Sequence, residues 1–400
     1  MKIIPVTDRK TQREFLDLPR QLYKNDPNYV IPFDKDIKAA FNPKTNVHFQ
    51  QGGASRWILK DGKDKTIGRI AAFFENDKAA ADYVRSGGCG FFECIDNQEA
   101  ANMLFDTAAG WLTEHGFEAM TGPINFGENE SNWGCLAHGF EPQAYGMAYN
   151  MPYYKDLFEN YGFQLYYKQY SFHIDIHKPF PERFWKIAEW INQRPHFSFR
   201  HFDYNETDKF VKDTVAVYDA AWPLLKDDYT PMDPQSVYEL LQKAKPILDP
   251  ELCWFAYYDD EPIAFFIFLP DANQIFRKLN GKLNIFAMLK FLILKKRKTM
   301  TRMRGTAAGV VPKYQNSGVE SGIIYQLNEV VKRRPHFKQV ELSWVGDFNP
   351  KMISLYKATG AYHAKTHHTY RYMINKDIPY KRFMPEKVDE KVLPDYKGEE

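Results

Sequence analysis

The chain has few cysteines, no long apolar run and almost no net charge. Its four cysteines, Cys89, Cys94, Cys135 and Cys253, contain no Cys-x-x-Cys spacing, so they read as buried thiols of a reducing compartment rather than a disulfide or metal framework. The opening residues, Met1-Lys2-Ile3-Ile4-Pro5-Val6-Thr7-Asp8, turn polar without an apolar signal core, and export by a standard signal peptide is not expected. No stretch approaches the roughly eighteen uncharged apolar residues of a membrane span. A formal net charge of +2 exerts no overall pull toward nucleic acid, so any basic function must be local. A cytoplasmic protein is the expectation.

At 400 residues the chain can hold two domains, and 44% hydrophobic with 26% charged residues is a globular balance. The aromatic share of 16% suits large cores or apolar ligand walls without choosing between them.

The most informative stretch is Val310-Val311-Pro312-Lys313-Tyr314-Gln315-Asn316-Ser317-Gly318-Val319-Glu320-Ser321-Gly322, which runs from a predicted strand into a predicted helix. The first turn of a helix leaves backbone N–H groups unpartnered, and with the positive end of the dipole they form an anion site. Gly318 and Gly322 would let a pyrophosphate approach the backbone, and Gln315, Asn316 and Ser317 can donate further hydrogen bonds. Glu320 is unwelcome in such a cradle. Either the loop shifts toward Ser321-Gly322 or Glu320 points away. A glycine-bearing helix start that binds nothing stays open, because short Gly motifs are weak evidence.

Further on, Asn349-Pro350-Lys351-Met352-Ile353-Ser354-Leu355-Tyr356-Lys357-Ala358-Thr359-Gly360-Ala361 reads as a short helix stopped by Gly360 and followed by a strand. Residues 150–163 echo it: Asn150, a short helix, Gly162, an aromatic strand. The echo extends through both halves. Residues 1–170 predict a strand from Ile3 to Val6 and a helix from Lys10 to Tyr23. A hairpin of Arg56 to Leu59 with Ile67 to Ala72, a strand from Gly90 to Ile95, a helix from Gln98 to His115 and a strand from Ala119 to Thr121 follow. Residues 197–373 repeat the order, with a strand from Phe197, a helix to about Trp222 and a hairpin of Cys253 to Tyr258 with Ile263 to Leu269. They close with a strand from Thr306 to Val311, a helix from Val319 to Lys332 and a strand from Gln339 to Trp344. This is an α/β domain built twice. The copies differ chemically. Where the second has its glycine turn, the first has Asp96-Asn97-Gln98-Glu99, an ordinary capped helix start, and Phe158 occupies the position of Tyr356.

The two motifs resemble the signature motifs of the GNAT superfamily of acyl-CoA-dependent N-acyltransferases. In that family a Gln/Arg-x-x-Gly-x-Gly/Ala turn holds the pyrophosphate of coenzyme A; Gln315 and Gly318 match, and Glu320 stands where a small residue is usual. In the pattern Asn-x-x-Ala-x-x-Leu-Tyr-x-x-x-Gly-Phe the Tyr hydroxyl often protonates the departing thiolate. Tyr356 matches, with Met352 replacing Ala and Ala361 replacing Phe. The resemblance implies two tandem GNAT-like domains, each a mixed, mainly antiparallel central sheet flanked by helices. Residues 1–175 would form an N-terminal domain degenerate for cofactor. Residues 176–376 would form the domain that binds acyl-CoA, with a basic apolar insertion at 272–304, and 377–400 a tail. The implied cofactor-binding residues are Val310, Val311, Gln315, Asn316, Ser317, Gly318, Val319, Ser321, Gly322 and Asn349.

The stretches Ile67-Gly68-Arg69-Ile70-Ala71-Ala72, Gly90-Phe91-Phe92-Glu93, Gly122-Pro123-Ile124-Asn125-Phe126 and Glu341-Leu342-Ser343-Trp344 look like the bacterial ceramide-synthase-like branch of the superfamily. Members implicated in sphingolipid synthesis join a fatty acyl group from a thioester to the amine of a sphingoid base.

N-acylation needs a neutral amine, and an alkylammonium has a pKa near ~10.4, so a base or a desolvating pocket must help. Glu341 is the candidate base beside Tyr356 as acid, with His363, His367 and His368 as alternatives; no metal is expected. The irregular, Gly- and Asn-rich stretch from Gly122 to Tyr149 is a long loop of the kind that carries function, or else a solvent loop. Within it Asn125, Glu128, Asn129 and Tyr149 are expected to reach a polar substrate head. Residues 275–298 alternate bulky apolar residues with Lys and Arg. They could lie on an anionic membrane from the cytoplasmic side, or form an ordinary packed helix with a solvated basic end. No nucleic-acid partner is expected. Three readings compete: acyl-CoA-dependent acylation of a small-molecule or lipid amine, a tandem transferase using aminoacyl-tRNA, and a non-catalytic acyl-CoA or lipid binder.

Overall fold

The computed structural model describes residues 1–80, 82–126, 133–221, 231–315 and 317–384. They fall into two compact units that interleave in sequence. The first comprises Met1–Tyr170, Ile275–Ile293 and Lys365–Phe383, the second, in its described elements, Ser171–Gln274 and Leu294–Ala364.

The chain begins β1 (Lys2–Pro5), α1 (Arg9–Leu22), α2 (Asp34–Ala40), β2 (Gly52–Lys60), β3 (Thr66–Glu75), α3 (Asn76–Ala80), β4 (Ser86–Cys94) and α4 (Gln98–Glu114). It continues with β5 (Ala119–Gly122), β6 (Cys135–His138), α5 (Tyr154–Tyr161) and β7 (Gln164–Asp175). In the first unit the strand order is β1-β2-β3-β4-β5, and neighbours are antiparallel except β4 and β5, which run parallel.

Next come α6 (Glu182–Asn192), β8 (Phe197–His201), α7 (Thr207–Ala221), α8 (Pro234–Ala244), β9 (Cys253–Tyr258), β10 (Glu261–Pro270), α9 (Asn273–Phe276) and α10 (Ile285–Lys296). The last elements are β11 (Arg302–Val310), α11 (Val319–Lys332), β12 (Gln339–Gly346), α12 (Pro350–Ala358) and β13 (Tyr362–Met373). The second unit orders its strands β12-β11-β10-β9-β8, again antiparallel except for one parallel pair, β11 and β12. The C-terminal part of β13 pairs with β5 and β6 in the first unit. Each unit is thus a mixed, mainly antiparallel sheet with one parallel pair, and that pair is joined by a crossover helix, α4 or α11, as parallel strands require.

Local chemistry explains the order. Asp259 and Asp260, both at positive φ, form the two-residue link between paired Tyr258 and Glu261, the geometry that matches the twist of a hairpin. In the β2–β3 hairpin the Asp61 carboxylate accepts the N–H groups of Lys63 at 2.8 Å and Lys65 at 2.9 Å, which closes the turn. Helix α4 buries Ala100, Ala101, Leu104, Phe105, Ala108 and Leu112, a stripe at helical spacing, in a core with Phe158 and Phe163. Phe202, Phe210, Phe255, Tyr257 and Phe265 build a core of the second unit. Much of the aromatic excess is spent on these cores.

Strands β4 and β11 begin earlier than the residue pattern predicts. Small and charged residues, Ser86-Gly87-Gly88 and Arg302-Met303-Arg304, hide the strand signal there. Gly87 is needed for packing, because a Cβ would lie 2.4 Å from Leu112 Cδ2 of α4. The expected end of the long helix at Trp222 lies outside the described residues.

Candidate functional site

In the second unit the parallel pair opens into a fork. β11 and β12 pair only from Arg302–Gly305 to Gln339–Leu342, although β11 continues to Val310 and β12 to Gly346. The Ser343 hydroxyl marks the point of opening by donating to the Gly305 carbonyl across the pair. Tyr356, projected by α12, donates from Oη to the Ser343 carbonyl at 3.3 Å, and its ring meets Phe172 edge-on at 5.5 Å. Burial pushes its phenol pKa up, so Tyr356 keeps its proton throughout the physiological range. A proton donor therefore stands where two strands stop pairing.

The turn from Val311 to Gly318 lies at the end of β11. Pro312–Tyr314 form a 3-10 turn, Gln315 Nε2 reaches back to the Val310 carbonyl at 3.4 Å, and Ser317 Oγ lies 3.4 Å from the Val319 amide nitrogen. Gly318 begins α11 in the left-handed region, φ +88°, and as glycine brings no side chain of its own to cap the helix. The α11 start therefore has the backbone character of an anion site. Val319, Ser321 and Gly322 are buried. Gly322 serves packing, since a Cβ there would lie 2.4 Å from the Phe199 ring and 2.9 Å from Ile191. Burial raises the pKa of Glu320, while a hydrogen bond from its own backbone N–H acts in the opposite sense. Asn349 caps α12, accepting the Met352 N–H at 3.2 Å. Asn316 lies outside the described residues.

The first unit builds the same fork and fills it. β4 and β5 pair from Ser86–Gly88 to Ala119–Thr121, and the chain leaving β5 then folds against β4. Ile124 N–H donates to the Cys89 carbonyl at 2.9 Å, and the Asn125 side chain accepts the Phe91 N–H at 2.8 Å. A Cβ on Gly90 would come within 1.4 Å of the Ile124 carbonyl oxygen, so the contact depends on glycine. Helix α4 is capped by Asn97, whose side chain accepts the Ala100 N–H at 2.8 Å. Phe158 is fully buried among Phe92, Phe105 and Phe163.

Of the residues expected to meet a substrate head, Asn125 plugs this fork, and Tyr149 donates to Asp26 at 2.7 Å. Glu128 and Asn129 lie outside the described residues.

Glu341 is 0% exposed, with its carboxylate 3.4 Å from Arg302 Nη1 and 3.3 Å from His173 Nε2. Arg302 in turn donates to the Asp271 carboxylate at 2.7 Å. These are the partners of a buried ionic network, and a carboxylate without exposed surface is poorly placed to meet an amine. His363 packs on Phe172, His367 Nε2 sits 3.0 Å from the Ala148 carbonyl, and His368 Nδ1 sits 3.0 Å from Tyr370 Oη. Burial lowers the His368 pKa to about 4. Among the described residues, no group of three or more His, Cys, Asp or Glu is placed to hold a metal ion.

Sequence reasoning missed two buried clusters. One is Asp271–Arg302–Glu341–His173. The other, in the first unit, centres on Glu93, whose carboxylate accepts from Tyr23 at 2.9 Å and Tyr154 at 2.7 Å, with Arg69 at 3.5 Å. The available signal was a charge inside an apolar strand, Glu93 after Phe91-Phe92 and Glu341 after Val340.

No family model matches the chain. It is 27% identical over 380 residues, covering 92% of this chain and 97% of the relative, to a protein of Caulobacter vibrioides named bacterial ceramide synthase. A protein of Escherichia coli named YghO is 23% identical over 377 residues, covering 90% of this chain and 93% of that one. Among solved structures, a tandem GNAT protein from the clavulanic acid biosynthesis pathway matches with a TM-score of 0.55 at 12% identity, covering 95% of this chain and 99% of that one. A GCN5-related N-acetyltransferase from Sphaerobacter thermophilus matches with a TM-score of 0.50 at 11% identity, covering 95% and 98%. With one forked sheet per unit, the chain has the tandem GNAT fold and resembles, over nearly its whole length, a protein named bacterial ceramide synthase.

Proposed function

We propose that the protein transfers an acyl group from acyl-CoA to an amine, that the second unit performs the reaction, and that the acceptor is a long-chain sphingoid base. The observation that carries this reading is the open fork between β11 and β12, with the Gly318-led start of α11 at its end and the Tyr356 hydroxyl at its base. The amine nitrogen attacks the thioester carbonyl, the C–N bond forms and the C–S bond breaks. The departing thiolate takes a proton from Tyr356 Oη, and the phenolate is restored by the proton that the amine sheds. The similarity to a protein named bacterial ceramide synthase favours a lipid amine over a soluble one.

The test is incubation of purified protein with acyl-CoA of several chain lengths and either sphinganine or a panel of soluble amines, following free thiol and amide product by mass spectrometry. Amide formed with sphinganine and not with soluble amines is the expected result. Acylation confined to soluble amines would replace the lipid acceptor. Glu320 supports a second reading, non-catalytic acyl-CoA binding, because an acid in the first turn of α11 competes with a pyrophosphate for that helix start. Calorimetric binding without turnover on any amine would favour it.

A further inference from the structure

We propose that α10 is a membrane-docking helix that lies in the interfacial plane of an anionic bilayer. The proposal does not rest on the acyl-transfer reading. Of the sixteen large hydrophobic side chains that are exposed among the described residues, seven fall between residues 283 and 293: Leu283, Ile285, Phe286, Met288, Leu289, Leu292 and Ile293. No residue of the helix is buried, and Phe286 is 76% exposed. The packed-helix alternative therefore does not describe this segment.

Helical spacing shows how the face is organised. Ala287, Phe291 and Leu294 are the half-buried residues, at i, i+4 and i+7, and they form the inward stripe; the Phe291 ring stacks on Phe276 at 5.9 Å. The remaining arc turns outward with six of the seven apolar side chains. A soluble surface rarely carries such a patch unless something covers it.

The segment leading into the helix is firmly seated. Ile275 and Leu279 are buried, and Asn280 and Gly281 both adopt positive φ in a tight turn. A Cβ on Gly281 would lie 2.8 Å from Ile31 and 2.9 Å from Arg20. The apolar face is thus held outward by a fixed turn.

Charge identifies the occupant. Residues 277–298 contain eight exposed cations, Arg277, Lys278, Lys282, Lys290, Lys295, Lys296, Arg297 and Lys298, and no acid. Since the whole chain carries +2, the rest of it carries −6. An apolar face rimmed by cations, on a protein otherwise acidic, is complementary to acyl chains beneath anionic headgroups. A second protein copy would have to bring eight positive charges against eight more. At twelve residues the helix is about 18 Å long, too short to cross the roughly 30 Å hydrocarbon core, so it lies along the surface.

The test is co-sedimentation of the full chain with vesicles of phosphatidylglycerol or of phosphatidylcholine. Wild type should bind the anionic vesicles and release as salt rises. Lys296→Ser/Arg297→Ser/Lys298→Ser should weaken partitioning on the order of a hundredfold, at about fivefold per cation. Lys295 is left in place because its Nζ donates to the Pro246 carbonyl at 2.6 Å. Phe286→Ser/Leu289→Ser/Leu292→Ser, all at exposed positions, should abolish binding while circular dichroism stays unchanged. Phe286→Trp should show fluorescence quenching by lipids brominated on the acyl chain. Failure of wild type to sediment with anionic vesicles at low salt overturns the proposal. So does a dimer, seen by light scattering, that the apolar triple variant dissolves without any vesicle binding.

Discussion

Replacing Tyr356 by Phe separates chemistry from architecture. The ring stays against Phe172, and only the hydroxyl is lost. Its bond to the Ser343 carbonyl is long at 3.3 Å, and Ser343 is also tied to Gly305 by its own side chain. The stability cost should therefore stay at or below about 1 kcal/mol, the ordinary net value of one hydrogen bond. The rate effect should be much larger, because loss of a general acid is commonly worth ~10²–10⁴-fold, or roughly 2.7–5.4 kcal/mol of barrier. Single-turnover thiol release from acyl-CoA reads the chemical step, and calorimetric titration with the same thioester reads binding. Affinity should hold within about threefold. The raised phenol pKa adds a constraint, since Tyr356 stays protonated through neutrality and its own titration should not appear as an alkaline loss of rate below pH 9. A single-turnover rate unchanged in Tyr356→Phe would remove the hydroxyl from the reaction and leave the fork as a binding site only.

Gly318→Glu should abolish acyl-CoA binding in calorimetry, whereas Asn97→Glu in the first unit should not; equal affinity of wild type and Gly318→Glu would rule the site out. Glu320 has a raised pKa, so affinity should rise as pH falls toward it and the competing carboxylate is neutralised; Glu320→Gln should bind more tightly at neutral pH and lose that increment. Glu341→Leu leaves Arg302 and His173 facing an apolar group, and should cost the second unit about 3 kcal/mol in urea unfolding. Glu341→Gln should lose stability rather than turnover; a large fall in turnover of fully folded Glu341→Gln would restore Glu341 as the base. His368 has a folded pKa near 4 against 6.5 for the free side chain, so between those values the unfolded chain takes up a proton that the folded chain refuses. Stability should accordingly fall as pH drops through that window, by on the order of 3 kcal/mol, and His368→Gln should flatten the decline.

The duplicated order of strands and helices was legible because each element carries a local signal: the helical stripe of α4, the Asp259-Asp260 turn, and the glycine stops at Gly162 and Gly360. The candidate site was legible where it depends on backbone conformation, since only glycine sits easily at the φ of +88° that Gly318 adopts. It was not legible where one side chain can serve two purposes. Gly318 and Gly322 look alike in sequence, yet Gly322 is required by the Phe199 and Ile191 contacts. Glu341 reads as a base because it is a carboxylate near the right helix, and only the fold supplies Arg302 and His173 from distant strands. Asn125 reads as a substrate group because a polar residue in a glycine-rich loop has no local partner in sequence. Its partner, the Phe91 N–H, is contributed by a different strand.

That Asn125 contact also explains how a duplicated fold can keep one chemistry. A parallel pair that stops pairing leaves N–H and C=O groups without strand partners, and buried backbone groups must find others. In the first unit they find them within the chain, as Ile124 and Asn125 bond to Cys89 and Phe91, and Gly90 permits the approach. In the second unit β12 is followed instead by the Asn349-capped α12, which carries Tyr356. The proposed function assigns the corresponding opening of the second unit, between β11 and β12, to acyl-CoA. Gly90→Val should accordingly destabilise the first unit without creating a cofactor site, because the capped start of α4 and the buried Phe158 would still lack both the anion donors and the acid. Acyl-CoA binding measured on any folded fraction of that variant should keep a stoichiometry of one, and a second bound equivalent would refute the assignment of the plugged fork as closed for chemical rather than merely steric reasons.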